Sequence, residues 1–291
     1  CESTARTLSM TEFIPGLELS RLFYYEVVAP LLEKHFPSLP LSAALIGAGS
    51  EVLGFDTPMS SDHDWGPRVL LFLTQADCQK HSKALGTLFR THLPQTFRGY
   101  PTDFHYPPSP PTHEINHHIT ITTLQGYFQN YLGVDVEQEI PITDWLTLPE
   151  QNLRTIKAGA VYRDDLGLQA IRERFTTFPH DIWLYLLAAQ WTRVGQEEHL
   201  MGRAGYVGDE IGSALITARL VRDLMRLCFL MEKQYAPYPK WFGTAFSRLS
   251  CGQALSPVLK SVLCAETWQE RQTHLCTAYR FVAEKHNTLG I

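Results

Sequence analysis

The chain has 291 residues, of which 44% are hydrophobic and 19% are charged, and its formal net charge is −5. This length accommodates two domains, and the apolar content supports a full core, which excludes extended disorder except at the ends. The acidic balance argues against a broad nucleic-acid-binding surface, since such a surface requires a basic face, and nucleic acid is therefore not a favoured partner.

Cysteine usage and targeting signals favour a reducing compartment. Six cysteines are scattered without C-x-x-C spacing, which predicts neither a zinc site nor a disulfide framework. The first residues, CESTARTLSMTEF, lack the apolar core of a signal peptide, and no apolar run approaches the length of a membrane span. We therefore expect a cytoplasmic protein with no membrane partner.

The first predicted elements are a helix, a short strand and a glycine-containing turn. Leu17–Phe36 has the pattern of an amphipathic helix, and Ala43–Ala48 is typical of a short buried strand. Gly49 and Ser50 follow that strand directly. Glycine lets backbone N–H groups approach an anion closely, and Ser50 adds a hydroxyl, so this turn is a candidate phosphate-binding site.

An acidic pair follows Ser50 after eleven residues, in the segment Asp62-His63-Asp64. We expect a second strand over Asp62–Leu73, in which Asp62 and Asp64 project from the same face. Two adjacent carboxylates repel each other unless a cation lies between them, and such hard oxygen ligands suit Mg²⁺, which also binds substrate phosphates. The turn and the acidic pair together indicate metal-assisted phosphoryl or nucleotidyl transfer. Pro67 lies inside the predicted strand, which indicates an edge strand or a bulge.

The next elements complete the predicted α/β part of the chain. Ala76–Leu93 has helical periodicity, and a proline-rich loop around Tyr106–Pro111 separates it from the alternating segment His118–Thr122. The helical segment Gln125–Leu132 follows this strand.

From Pro141 onward, helical periodicity replaces strand-like alternation, so we predict an α/β domain over residues 1–140 and a helical domain over 141–291. Asp181–Val194 is apolar nearly all round and is expected at the centre of a bundle. Asp209–Tyr235 is a second long helix with one apolar face and one charged face. The charged face carries Arg219, Arg222, Asp223 and Arg226. One interpretation is a solvated face with Arg–Asp ion pairs, and the other is that one or two of these arginines reach nucleotide phosphates.

Two further segments contain candidate phosphate ligands. Arg163 lies in Ala158–Asp165, which is turn-like, and the alternative there is that the neighbouring acids cap the helix Leu168–Phe175. Lys240 lies in Tyr238–Phe242, where it is a candidate for pairing with a triphosphate while an aromatic ring stacks on a base. The alternative is a helix start that packs its aromatic residues inward and leaves the lysine in solvent.

The order of Gly49-Ser50 and Asp62-His63-Asp64 resembles the active-site signature of the DNA polymerase β-like nucleotidyltransferase superfamily. The segments GSEVLGFDTPMSSDHDWGPR, YLGVD and GRAGYVGDEIGSALITARLVRDLMRLCFLM also resemble the DUF4037 family of uncharacterised nucleotidyltransferase-like proteins, and this resemblance extends from Leu17 to His286. It implies an α+β fold, in which a nucleotidyltransferase-like mixed-sheet domain precedes a C-terminal helical bundle.

The resemblance implies a Mg²⁺-dependent nucleotidyltransferase that moves a nucleoside monophosphate from a nucleoside triphosphate, with ATP expected, to an acceptor. Gly49 and Ser50 would hold the triphosphate, and Asp62 and Asp64 would be the catalytic, metal-binding pair. Superfamily members usually add a third carboxylate from a later strand, and Thr120 occupies that position here.

Two alternatives to an active transferase stay open. One is a catalytically reduced nucleotide-binding module, which the uncharged residue at the third ligand position favours. The other is a protein-interaction module, such as the nucleotidyltransferase-like partner in a toxin–antitoxin pair. The acceptor, the nucleobase and the oligomeric state are open in each interpretation.

Overall fold

The computed structural model describes residues 13–62, 65–104 and 115–291. Its contacts divide the chain into two compact units. The first contains the described residues up to Glu139 together with Thr155–Arg174, and the second contains Ile140–Arg154 and Phe175–Ile291. The predicted change of character near residue 140 coincides with the first of these divisions, but the sequence did not predict the return of 155–174 to the first unit.

The first unit begins with one long helical segment. It consists of α1 (Gly16–Phe23), a π-helical stretch (Tyr24–Val28) and α2 (Ala29–His35). Pro30 lies at the start of α2 and has no N–H to donate within a continuous α-helix. The wider π turn just before it accommodates this interruption without ending the segment.

Among the described residues, four strands form one mixed sheet in the order β5-β2-β1-β6. Strand β2 pairs antiparallel with β1 and parallel with β5, and β6 pairs antiparallel with β1. The bounds of the strands are β1 Ser42–Leu45, β2 Arg68–Leu73, β5 His118–Thr123 and β6 Ala160–Asp164. The predicted α+β class, with a mixed sheet and a helical C-terminal region, is confirmed.

Strand β2 differs from its prediction in extent and position. It begins at Arg68 rather than Asp62, and it is an inner strand rather than an edge strand. Gly66 has φ +149° and Pro67 has no N–H to donate, so neither residue extends the ladder towards the N-terminus. Asp62 instead ends a short 3₁₀ helix that begins at Pro58.

Strand β6 lies in a segment that the sequence predicted as a turn. Gly159 precedes it with φ +78°, and its N–H donates to the carbonyl of Val52 at 3.0 Å. A methyl group at Gly159 would overlap the backbone of Leu45, so only glycine permits this close approach. Asp164 ends the strand and accepts from the backbone N–H of Leu168 at 2.8 Å, which caps the following helix as one of the sequence interpretations proposed.

The helices α1, α2 and α3 (Gln75–His92) cover one face of the sheet. The buried side chains of that face pack with those of the three helices in the core of the first unit. These strand residues include Ala43, Leu45, Val69, Leu71, Leu73 and Ile119. Because side chains alternate along a strand, Leu70 projects from the opposite face together with its cross-strand partners Ala44 and Thr120.

Shorter elements complete the first unit. Thr74 caps α3 by accepting from the N–H of Asp77 at 3.1 Å, and Thr123 caps α4 by accepting from the N–H of Gly126 at 3.0 Å. These elements are β3 (Thr96–Phe97), β4 (Tyr100–Pro101), α4 (Leu124–Leu132) and α7 (Leu168–Glu173).

The second unit is helical in its described elements. The helix α6 crosses the division between the units, because its first residues belong to the second unit and Thr155 belongs to the first. The helices are α5 (Ile142–Trp145), α6 (Glu150–Lys157), α8 (His180–Tyr206), α9 (Glu210–Met231), α10 (Pro239–Ser247), α11 (Gly252–Cys264) and α12 (Trp268–Asn287). Across 13–62, 65–104 and 115–291, no helix combines the length and apolar character needed to cross a bilayer.

Helix α8 is longer than the predicted segment Asp181–Val194, because it continues through Gly202 and Gly205 to Tyr206. Gly205 packs against Trp268, whose ring would overlap any side chain at this position. The link to α9 is therefore short, and Asp209 caps α9 by accepting from the N–H of Gly212 at 2.7 Å. Trp183 joins the two long helices by donating to the carbonyl of Leu230 at 2.6 Å.

Candidate active site

The candidate phosphate-binding turn begins just beyond the end of β1. Gly49 has φ +143°, and a methyl group there would overlap the side chains of Arg68 and Glu51. The Ser50 carbonyl accepts from the N–H of Phe55 at 3.0 Å, which closes the turn. Within the described residues, the Ser50 hydroxyl has no hydrogen-bond partner, so it is available to a ligand.

An ion pair supports this turn. The Glu51 residue is 3% exposed, and its carboxylate pairs with the guanidinium of Arg68. The same guanidinium donates to the carbonyl of Ala48 at 2.6 Å. Burial raises the pKa of Glu51, and the charge of Arg68 opposes that rise. The first residue of β2 therefore fixes the turn that follows β1.

Sequence reasoning did not identify Glu51 or Arg68 as part of the site. The signal available was a single glutamate between Ser50 and the apolar pair Val52-Leu53, because a charge in an apolar segment requires a partner when it is buried. The identity of that partner depends on the pairing of β1 with β2, which the sequence pattern does not specify.

Aromatic side chains from α4 close the turn on the side of Gly47. A side chain at Gly47 would overlap the Tyr127 hydroxyl, and Tyr127 packs edge-to-face on Phe72 with ring centroids 5.4 Å apart. Tyr131 stacks on Tyr127 at 5.6 Å, and its hydroxyl lies 2.8 Å from that of Thr155. Burial raises the pKa of the Tyr127 hydroxyl, so this wall is neutral at physiological pH.

The chain on either side of the acidic segment is joined by Asp56. Asp56 accepts from the indole N–H of Trp65 at 3.0 Å and from the backbone N–H of Gly16 at 2.7 Å. These contacts connect Asp56 with Trp65 and with the start of α1. Asp62 is the last residue of the 3₁₀ helix, and Asp64 lies outside the described residues. The metal-binding role of the pair remains a prediction, but the extended conformation expected at Asp62 is wrong.

Thr120 occupies an exposed position on β5. It pairs with Leu70 of β2 and projects from the face opposite α1, α2 and α3. Two acidic residues precede β5 in the chain. Glu114 lies outside the described residues, and Asp103 accepts from the N–H of Asn116 at 3.0 Å. In the part of the chain that the structure describes, no group of three or more His, Cys, Asp or Glu residues is arranged to hold a metal ion.

The structure places Arg163 away from this turn. It lies on β6 opposite Ala43, on the face of the sheet covered by helices, whereas Thr120 projects from the other face. Its guanidinium forms an ion pair with Asp165 at 2.6 Å. The structure thus does not bring Arg163 together with Gly49 and Ser50, and its role in phosphate binding remains a prediction.

Lys240 lies in the second unit, in the first turn of α10. It is exposed, and its Nζ lies 5.0 Å from the ring centroid of Trp241. This arrangement is the helix start with a solvent-facing lysine that the sequence offered as an alternative. A role in triphosphate binding remains a prediction.

Part of the chain is similar to a known family. Residues 145–242 match DUF4037. This family is described as a domain of unknown function, and the match confirms the predicted DUF4037 resemblance over those residues. The match covers the second unit from Trp145 through the start of α10 and also includes β6 and α7.

Among solved structures, a nucleotidyltransferase-like protein from Exiguobacterium sibiricum is similar to this chain. The two are 12% identical, the similarity covers 94% of this chain and 74% of the other, and the TM-score is 0.38. A similarity this low says nothing about activity. No similarity to a curated protein is found.

Proposed function

We propose that this chain is a Mg²⁺-dependent nucleotidyltransferase that transfers a nucleoside monophosphate from a nucleoside triphosphate, with ATP expected, to an acceptor. The observation that carries the proposal is the hydrogen bond from Arg68 to the carbonyl of Ala48. It joins the start of β2 to the turn at Gly49 and Ser50. The residues expected to bind phosphate thus lie beside the start of β2, the strand that follows the segment expected to bind metal.

The sheet topology supports the same arrangement. In the antiparallel pair, Ser42 lies opposite Phe72 and Ala44 opposite Leu70, so the C-terminal end of β1 adjoins the N-terminal end of β2. The turn after β1 therefore lies at the same end of the sheet as the start of β2. Parallel pairing places the start of β5 at this edge as well, with Thr120 two residues into the strand from His118.

Phosphate binding would depend on backbone groups at the turn. Gly49 has a conformation that favours glycine, and a residue without a side chain leaves its N–H accessible to an anion. Arg68 is already paired with Glu51, so its charge holds the turn rather than the ligand. Ser50 would add a hydroxyl donor to the triphosphate.

The donor set suits Mg²⁺, since Asp62 and Asp64 would offer the hard carboxylate oxygens that this ion prefers. When bound, the ion would neutralise charge on the triphosphate and favour in-line attack by the acceptor. Exclusion of water and positioning of the nucleotide would fall to the turn and to the Tyr127 wall.

The experiment compares the wild type with the double variant Asp62→Asn, Asp64→Asn and with the control Asp135→Asn. Asp135 is exposed and accepts from the N–H of Glu137, a bond that asparagine can retain. Pyrophosphate release from ATP with Mg²⁺ is expected in the wild type and the control and is expected to be lost in the double variant. Full release by the double variant would remove the mechanism.

The exposed Thr120 favours a second candidate, a nucleotide-binding module with little turnover. A hydroxyl is a weaker metal ligand than a carboxylate, so the third coordinating position would be poorly filled. Calorimetry with ATP and Mg²⁺ separates the two functions when it is combined with the release assay. Binding without pyrophosphate release supports the module, and binding with release supports the transferase.

A further inference from the structure

A cavity of about 380 Å³ lies within the second unit, separate from the residues assigned above. Its lining comes from the start of α6, the middle of α9 and the segment that leads into α10. This volume is in the range of small-molecule binding sites. All lining residues fall between 145 and 242, so the cavity belongs to the segment that matches DUF4037.

One wall of the cavity carries an uncompensated positive charge. Arg226 pairs with Glu150 at 2.8 Å, and the other oxygen of Glu150 accepts from the N–H of Ala236 at 2.8 Å. Glu150 is thus fully engaged by the protein. Arg222 lies one turn before Arg226 on α9, and within 13–62, 65–104 and 115–291 it has no ion-pair or hydrogen-bond partner. Two arginines and one glutamate leave the cavity with one net positive charge.

The other wall is apolar and rigid. Tyr238 is the N-cap residue of α10, Phe242 lies in the first turns of that helix, and both line the cavity. Phe242 packs on Phe229 with ring centroids 5.4 Å apart, which supports it from behind. Pro237 and Pro239 flank Tyr238 and restrict the backbone there.

The lining therefore combines a flat apolar surface with a free guanidinium. A ring in this space would remove apolar area from water against Tyr238 and Phe242. An anionic group on that ring would pair with Arg222, and Arg226 has further N–H groups to offer beyond the one that binds Glu150. A neutral aromatic ligand would leave the Arg222 guanidinium without a counter-charge. An anion without a ring would leave the apolar wall in contact with water.

We propose that this cavity binds a small aromatic anion, with its ring against Tyr238 and Phe242 and its phosphate or carboxylate group on Arg222. This inference is independent of nucleotidyl transfer in the first unit, because it uses no residue of that site. Phosphate and carboxylate share the chemistry that the site recognises, and the experiment distinguishes them.

The test is titration calorimetry on the full chain with two aromatic anions, phenyl phosphate and benzoate. The control ligands are inorganic phosphate, which has no ring, and benzyl alcohol, which has no charge. At least one aromatic anion is expected to bind at least tenfold more tightly than either inorganic phosphate or benzyl alcohol. Whichever of phenyl phosphate and benzoate binds more tightly identifies the anionic group.

Variants connect the binding to these residues. Arg222→Gln is expected to weaken binding of the preferred probe at least tenfold, and Tyr238→Ala is expected to weaken it several-fold. The matched control is Arg203→Gln, which removes an exposed arginine of α8 and should leave the affinity unchanged. Circular dichroism confirms that each variant is folded.

Three outcomes would overturn the proposal. The first is the absence of binding by both aromatic anions. The second is equal affinity for inorganic phosphate and the aromatic anions. The third is a folded Arg222→Gln variant that binds as the wild type does.

Discussion

Arg68 forms an ion pair with Glu51 beneath the turn at Gly49. This pair connects the first residue of β2 with a buried carboxylate that immediately follows the candidate phosphate-binding residues. It also leaves Arg68 free to donate to the carbonyl of Ala48. The conformation of the turn is therefore coupled to the pairing of β1 with β2.

The first prediction concerns this ion pair. Glu51→Gln should lower the free energy of unfolding by about 2 kcal/mol, because it leaves a partly buried guanidinium without its counter-charge. The same change should weaken ATP binding, since Arg68 would no longer be held against the turn. Urea unfolding and calorimetry measure the two effects. The control Glu137→Gln removes an exposed carboxylate, and equal stability of the two variants would contradict the prediction.

The second prediction compares two glycines with positive φ. Gly49→Ala should lower the free energy of unfolding by about 3 kcal/mol. The added methyl group would overlap Arg68 and Glu51, and the backbone at this position has a φ value that alanine disfavours. Gly133 ends α4 with φ +75° and open space around it, so Gly133→Ala should cost only about 1 kcal/mol. Thermal unfolding ranks the two variants. Loss of ATP binding is expected in the first and not in the second.

The third prediction tests whether the third ligand position limits turnover. Thr120→Asp should increase Mg²⁺-dependent pyrophosphate release several-fold, because a carboxylate on this strand would add a charged ligand. The position is exposed, so the substitution should leave the fold unchanged. Thr120→Asn, which has the same shape without the charge, should not increase release. Equal rates for the Asp and Asn variants would rule out a missing carboxylate at this position.

The fourth prediction concerns acid stability in the second unit. Burial alone would raise the pKa of Glu232, but hydrogen bonds from Ser250 and from the N–H of Cys251, together with Lys285, lower it to about 2. A carboxyl group whose pKa is lowered on folding stabilises the fold at any pH above the pKa that it has in the unfolded chain. For Glu232 that contribution is lost as the pH falls from 4.5 towards 2.

Glu232→Gln should therefore be less stable than the wild type by about 2 kcal/mol at neutral pH, with a difference that shrinks below pH 4.5. Urea unfolding at a series of pH values measures this difference. Glu284→Gln, at an exposed position on α12, is the control and should show no such dependence. A difference that stays constant from neutral pH to pH 3 would argue against the assigned role.

The sequence predicted the long helices well because their apolar residues repeat with helical periodicity. It also predicted the strand before Gly49, whose residues are uniformly buried. Strand β6 was missed because it has only five residues and contains polar Arg163 and Asp164, so no alternation stands out. Its place in the sheet depends on a backbone approach at Gly159, which is a tertiary feature.

The candidate site also combines residues that local sequence predicts with contacts that depend on tertiary structure. Gly49 and Ser50 could be predicted from local chemistry, since a glycine-containing turn after a strand has a recognisable pattern. The pairing of Glu51 with Arg68 could not, because it joins residues on either side of a long loop. The position of Arg163 apart from the turn could not be predicted for a related reason, since the face on which a strand residue projects depends on its register with β1.

The return of Thr155–Arg174 to the first unit affects how this protein can be divided. A fragment that stops at Glu139 would lack β6, and β1 would then present a bare row of N–H and C=O groups along one border. Such a piece would be prone to self-association. A fragment that extends through Arg174 would keep all four described strands of the mixed sheet, so the smallest piece that stays monomeric is expected to end there.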